Sequence, residues 1–164
     1  MSKLQNMRIV EIPKFRAVSS GTKTLNELFN DENSFNVWVQ GHRSLFIEHI
    51  FEPQDFLWHE ECNIDKSVWI FPIKSDVTET DVAPYEIIDF PGGIFLVATG
   101  DEKDNTDLEE TVATMYKWID DNDVFEYGDF PKSGMCNMPN PDGIADRTLK
   151  IAQQQIFLPL KLRK

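Results

Sequence analysis

The sequence predicts an α+β protein made of two related strand–helix–strand–strand modules, with antiparallel sheet on one side and helices on the other. Three observations lead there. The second half echoes the first: Glu11-Ile12-Pro13-Lys14-Phe15-Arg16-Ala17-Val18-Ser19-Ser20-Gly21 finds a counterpart in Asp89-Phe90-Pro91-Gly92-Gly93-Ile94-Phe95-Leu96-Val97-Ala98-Thr99-Gly100. Each half closes on a strand-like run with an internal proline and a lysine, Trp69-Ile70-Phe71-Pro72-Ile73-Lys74 and Ile156-Phe157-Leu158-Pro159-Leu160-Lys161. Strands and helices also alternate too loosely for parallel βαβ units. A repeat of roughly 80 residues that occurs only twice is too long and too sparse for a solenoid. The chain is therefore read as one domain over residues 1–164, with modules at about 8–74 and 85–163 and a link at 75–84. Such pairs often place a binding cleft at the seam between modules.

Each element has a local reason. Arg8 to Ser19 reads as the first strand, with Pro13 marking an edge or a bulge because it cannot donate to a ladder. Thr24-Leu25-Asn26-Glu27 has the capping-box spacing that opens a helix. Phe35, Trp38, Val39, His42, Phe46 and His49 recur at helical spacing, weakened by Gly41. Phe56 to Cys62 and Ser67 to Lys74 read as strands around the turn Asn63-Ile64-Asp65-Lys66, and the polar, acidic stretch Lys74 to Pro84 as the link. Tyr85 to Ala98 is near-continuously apolar, broken by Pro91-Gly92-Gly93. Asp101 to Asn105 reads as a solvated loop, and Thr106-Asp107-Leu108-Glu109 as a second capping box opening a helix with Leu108, Val112, Met115 and Ile119 buried. Asp120 to Asp146 is rich in Gly, Pro, Asn and Asp, a long connection with one short strand around Met135 to Met138. Arg147 to Leu160 supplies the final strand or strands.

Composition narrows the function. Hydrophobic residues make up 41% and aromatics 12%, enough for a folded core. No apolar run approaches the roughly 18 residues of a membrane span, and Met1-Ser2-Lys3-Leu4-Gln5-Asn6 lacks a signal peptide's apolar core, so a cytoplasmic protein is expected. Cys62 and Cys136 show no paired spacing, which favours reduced thiols. The net charge of −12 repels a phosphate backbone, so direct nucleic-acid binding is not expected. There is no Ser–His–Asp order, Walker loop or dinucleotide turn. His59, Glu60, Glu61 and Cys62 are metal-like in composition, yet consecutive strand residues point to opposite faces and cannot grip one ion. No metal, cofactor or catalytic residue is assigned.

The segments Tyr85-Glu86-Ile87-Ile88-Asp89-Phe90-Pro91-Gly92-Gly93, Phe95-Leu96-Val97-Ala98-Thr99-Gly100, Met115-Tyr116-Lys117-Trp118-Ile119 and Gln155-Ile156-Phe157-Leu158-Pro159-Leu160 together resemble the GyrI-like family, the effector-binding domain of AraC-type and multidrug-responsive regulators. The resemblance extends from about Arg8 to Arg163. It implies modules related by a pseudo-twofold axis, paired sheets forming a concave cleft, and a small, often aromatic or cationic, organic ligand held there. It also implies a stand-alone module, since too few residues precede the first strand for a helix-turn-helix. Two departures stand out. The family's glutamate before the last apolar run is matched here by Gln155, and its Glu-x-Tyr element has no clean counterpart in Gly134-Met135-Cys136-Asn137-Met138. An amide can hydrogen-bond a ligand but can neither neutralise a cation nor act as a general base at neutral pH.

Alternation in the last strand puts Ile156 and Leu158 on one face and Gln155 and Phe157 on the other. The second pair suits a ligand site or a partly wet sheet surface. Trp58, Glu60 and Cys62 share one face of their strand, with His59 and Glu61 on the other. Trp58 with Glu60 is either a stacking and charge-matching pair for a flat ligand or a core tryptophan beside a rim carboxylate. Met135 and Met138 offer an adaptable apolar wall. Trp118, beside the buried stripe of its helix, is a packing residue or a further ligand contact. The expected function is sensing or sequestering a flat, partly apolar organic molecule, in transcription regulation. The alternatives are hydrolysis of strained electrophiles in the same cleft and acid-driven binding of a basic protein partner.

Overall fold

The computed structural model describes residues 6–49, 51–140 and 142–164. The chain divides into two compact units, a continuous one over Pro13–Gly92 and a discontinuous one combining Met1–Ile12 with Gly93–Lys164. Each has its own core and its own set of antiparallel strands.

In the continuous unit the strand order is β5-β2-β4-β3, with β2 at Phe15–Ser19, β3 at Phe56–His59, β4 at Ser67–Pro72 and β5 at Glu86–Phe90. Helices α1 (Leu25–Phe29) and α2 (Phe35–Gly41) cover one face, where Leu28, Phe35 and Val39 pack with Val18 and Ile73. Burying each such side chain contributes roughly 1.5–3 kcal/mol. Thr24 and Glu27 form the expected capping box on α1, Thr24 N donating to Glu27 Oε2 at 2.8 Å. Helix α2 stops earlier than its periodicity suggests. His42 leaves the helical region, stacks on Trp38 at 4.3 Å and bonds through Nδ1 to the Trp38 carbonyl at 2.7 Å. A side chain thereby satisfies a C-terminal carbonyl, so Phe46 and His49 lie beyond the helix. The stretch expected as a link holds a helical turn, α3 (Glu79–Val82), and buries Val77 and Val82 in this unit's core.

In the discontinuous unit the order is β1-β6-β9-β8, with β1 at Arg8–Ile12, β6 at Gly93–Asp101, β8 at Met135–Asn137 and β9 at Gln153–Leu162. The short strand β7 (Phe125–Tyr127) also pairs with β9. Helix α4 (Asn105–Asp120) packs Met115 and Ile119 against Leu96, Ala98, Leu158 and Leu160. Its cap is Asp104, two residues before the sequence-based start, because the Asp104 carboxylate accepts the Asp107 amide at 3.2 Å; the Asp107 side chain is diverted to accept the Asp101 amide at 2.8 Å. That diversion buries Asp107 and Thr111, while Leu108 and Val112 are half-buried. A further helix, α5 (Ile144–Leu149), occupies residues expected as loop and strand.

The expected strand Arg8–Ser19 is two strands. Pro13 interrupts it, and the pieces join different ladders, β1 with β6 and β2 with β4 and β5. Pro91-Gly92-Gly93 likewise separates β5 from β6, with both glycines at positive φ. The sequence echo is an echo of register. Ala17 faces Pro72 in one unit, and Phe95 faces Pro159 in the other. Among the described residues no helix is long and apolar enough to cross a membrane.

Candidate functional site

In each unit the strands have one face under the helices and one face without them, and strand alternation decides which side chains occupy the second. In the discontinuous unit Ile156 and Leu158 lie with the α4 core, as their alternation requires. Gln155 and Phe157 are on the other face. There the register builds two rows. Thr99, Gln155 and Asn137 are direct cross-strand partners on β6, β9 and β8. Arg8, Val97, Phe157 and Met135 form the next row on β1, β6, β9 and β8.

The first row is polar and buried: Gln155 and Asn137 are each 4% exposed and Thr99 is 8% exposed. The second row is apolar apart from Arg8, with Phe157 edge-on to Phe95 at 6.4 Å. Arg8 Nη2 donates to Gln155 Oε1 at 3.4 Å, a long but real charge-assisted contact between residues 147 apart in the chain. The Gln155 Nε2 group makes no hydrogen bond among the described residues. Buried amides cost about 1–3 kcal/mol unless satisfied, which makes such a row an uncommon feature of a purely structural sheet face.

The structure thus brings together Gln155, Phe157 and Met135 from the sequence-predicted residues. Met138 is half-buried one residue past β8. Trp118 packs against the α4-side core, on the face opposite Gln155 and Phe157, because it shares the helical stripe of Met115 and Ile119. Trp58 and Glu60 belong to the continuous unit. Trp58 lies 7% exposed among the aromatics on the helix-free face of that sheet, 6.5 Å from the Phe90 ring. The expected alternation Trp58–Glu60–Cys62 does not hold. Strand β3 ends at His59, and Glu60–Cys62 is a 3-10 turn with positive φ at Glu61 and Cys62. Glu60 there accepts from the Thr22 hydroxyl at 2.7 Å. His59 is committed as well. Burial lowers its pKa, and its Nδ1 lies 2.7 Å from Ser67 Oγ, whose hydrogen goes to the Ile64 carbonyl.

The same strand order and the same helix-free polar face raise the question of which known proteins share the architecture. No family model matches the sequence, and no curated protein matches it. Solved structures do. The C-terminal domain of EcmrR superposes with a TM-score of 0.62 at 12% identity, over 96% of this chain and 98% of that one. The fold is shared with the EcmrR C-terminal domain. EcmrR in its DNA complex gives a TM-score of 0.65 at 12% identity, with 96% of this chain matched to 57% of that longer chain. A hydrolase from Listeria innocua gives 0.61 at 9% identity, over 95% and 92% of the two chains. At these identities the likeness to EcmrR and to the hydrolase is one of fold.

Sequence reasoning missed Thr99, Asn137 and Arg8. Asn137 was legible as the residue two positions after Met135 on one strand. Arg8 carried no signal, since only the β1–β6 ladder brings it near Gln155. A cavity of about 460 Å³ lined by Lys23, Glu27, Asp31, Glu32, Asn33 and Tyr85 in the continuous unit was also missed. Glu27 there already caps α1.

Proposed function

We propose that this chain is a small-molecule-binding module, an effector-binding domain of the GyrI-like kind, that senses or sequesters a flat, partly apolar organic ligand in transcription regulation. The observation that supports it most is the buried row Thr99–Gln155–Asn137 beside Phe157 and Met135 on a sheet face without helices of its own unit. Polar groups that fix orientation next to aromatic and thioether surface are the ordinary make-up of a ligand site. The EcmrR C-terminal domain shares the fold, and EcmrR is a DNA-bound protein, which supports the part of this reading that concerns transcription regulation. Gln155 in place of a carboxylate leaves this row without a general base, so binding is preferred to hydrolysis.

A thermal-shift screen against neutral planar aromatics, aromatic anions, lipophilic cations and strained electrophiles tests this, with mass spectrometry on each hit. A ligand at about 100 times its Kd should add about 2.7 kcal/mol. Recovery of an intact compound, with the shift lost in Gln155→Leu, is the expected result. A water adduct would replace the reading with hydrolysis. No shift with any compound would overturn it in favour of a protein partner.

A further inference from the structure

The buried row of the discontinuous unit holds a donor and an acceptor that do not use each other. Gln155 and Asn137 face one another across the β8–β9 ladder, and each is 4% exposed. Asn137 Oδ1 is buried and accepts no hydrogen bond among the described residues, so its cross-strand neighbour Gln155 Nε2 does not bond to it. Gln155 Nε2 makes no hydrogen bond among the described residues either. Chemistry decides which end of the Gln155 amide is which. Arg8 has only donors, so the end it meets at 3.4 Å is the oxygen, and the other end is the NH2. Arg8 here orients the amide.

The other unit shows that the strands do not require this polarity. Val68 stands four residues before Pro72, as Gln155 stands four before Pro159, and Val68 faces Trp58 as Gln155 faces Asn137. Valine and tryptophan leave no amide to desolvate there, whereas a buried acceptor without a donor costs free energy. A donor and an acceptor kept side by side at these positions describe a partner that supplies the complement of both.

That complement is specific. A carboxylate brings only acceptors and sets an oxygen against Asn137 Oδ1. An ammonium brings only donors and offers Gln155 Nε2 nothing, and a quaternary cation brings neither. A ring carbonyl with an N–H beside it brings one of each. Such an edge suits two cross-strand neighbours, whose Cβ atoms stand about 5 Å apart. Phe157 and Met135, cross-strand partners one row along on the same strands, give the ring an apolar surface. The Thr99 hydroxyl, on the other side of Gln155, both donates and accepts and so opposes neither end.

Resting on the small-molecule reading above, we infer that the ligand of this face is a neutral, flat aromatic lactam: its ring carbonyl accepts from Gln155 Nε2, its ring N–H donates to Asn137 Oδ1, and its ring lies against Phe157 and Met135.

The test is calorimetry on the intact protein at pH 7 with probes on one, two and three fused rings. The lactams are pyridone, quinolinone and phenanthridinone. Each is compared with the matching lactone, which has a ring oxygen where the N–H stands, and with the aryl carboxylate and aryl trimethylammonium of the same size. A site built to hydrogen-bond a group rejects the analogue that lacks it, so the best-fitting lactam is expected to bind roughly tenfold or more tightly than its lactone and than either ion. This order requires no variant to fold. Asn137→Leu should close the gap between lactam and lactone, a ratio taken within one protein and so independent of how much of it folds. In glutamine-labelled protein the side-chain NH2 signal that Gln155→Leu removes should shift when the lactam is added. If lactone matches lactam, an ion binds most tightly, the gap persists in Asn137→Leu, or that NH2 signal stays in place, the lactam inference is overturned and the small-molecule reading survives. If none of the probes binds, both are overturned.

Discussion

Asp55 is the residue whose chemistry is most exposed to test. It precedes β3 and accepts from the Trp69 indole N–H at 3.0 Å. Burial pushes its carboxyl pKa up, and the Trp69 bond and the His49 charge pull it back only in part. A carboxyl with a folded pKa above its unfolded value contributes most below the unfolded value and loses that contribution as pH rises through the folded one. Asp55→Asn keeps an oxygen for Trp69 and cannot ionise. It should match the parent near pH 4 and become the more stable protein by pH 7, with about 1.4 kcal/mol for each unit of pKa elevation. Urea unfolding across that range measures the gap; a gap that does not widen with pH would reject the account. Gln155 and Asp55 are two buried polar groups, one bonded to Arg8 and one to the Trp69 indole N–H. Only Gln155 was legible as a candidate site residue, because alternation in the last strand sets it on the face of Phe157, opposite Ile156 and Leu158. Asp55 sits in a loop whose burial no local pattern reports.

At the level of elements, Gly134 decides where β8 lies. Its φ is +71°, and a Cβ there would meet the Phe157 carbonyl oxygen at 2.8 Å and Leu158 Cδ2 at 2.9 Å. The backbone of β9 cannot retreat without breaking the β6–β9 ladder, so Gly134→Ala should cost roughly 1–3 kcal/mol. It should also weaken any ligand that uses Met135 or Asn137, since both follow Gly134 directly on β8. Chemical denaturation checks the first part, and a loss under about 0.5 kcal/mol would show that the segment yields. Elements set by local chemistry were readable in advance. Helix α1 follows from its capping box, because Thr24 and Glu27 need no distant partner. The start of α4 lies two residues earlier than expected because the Asp104 carboxylate accepts the Asp107 amide. Strand β7 offers three residues with no alternation to read, and it exists because Leu160 to Leu162 present an open edge. The split of Arg8–Ser19 was announced by Pro13 and still read as a bulge, since a proline marks a break without saying where each side goes.

For the molecule as a whole the net charge of −12 sets the terms. Like charges at this density oppose compaction, and salt screens them over a Debye length of about 10 Å at 0.1 M. Raising potassium chloride from 50 to 300 mM should therefore raise the unfolding midpoint by a few degrees, whereas an uncharged osmolyte matched in osmolality should reproduce little of that rise. An unchanged or falling midpoint would mean that specific ion pairs such as Lys161 with Asp129, at 2.9 Å, outweigh the general repulsion. By itself the sequence determined the α+β class, the twofold repetition with its paired prolines, the helix carrying Met115 and Ile119, and the opposite facing of Gln155 and Leu158. These depend on spacing within one element, where backbone geometry fixes side-chain direction. Only the tertiary structure decided that β1 pairs with β6 and β5 with β2, that Val77 and Val82 of the expected link belong to a core, and that Arg8 reaches Gln155. Ladder partners are chosen by the surface they bury together across long stretches of chain, and no short run of residues encodes that choice.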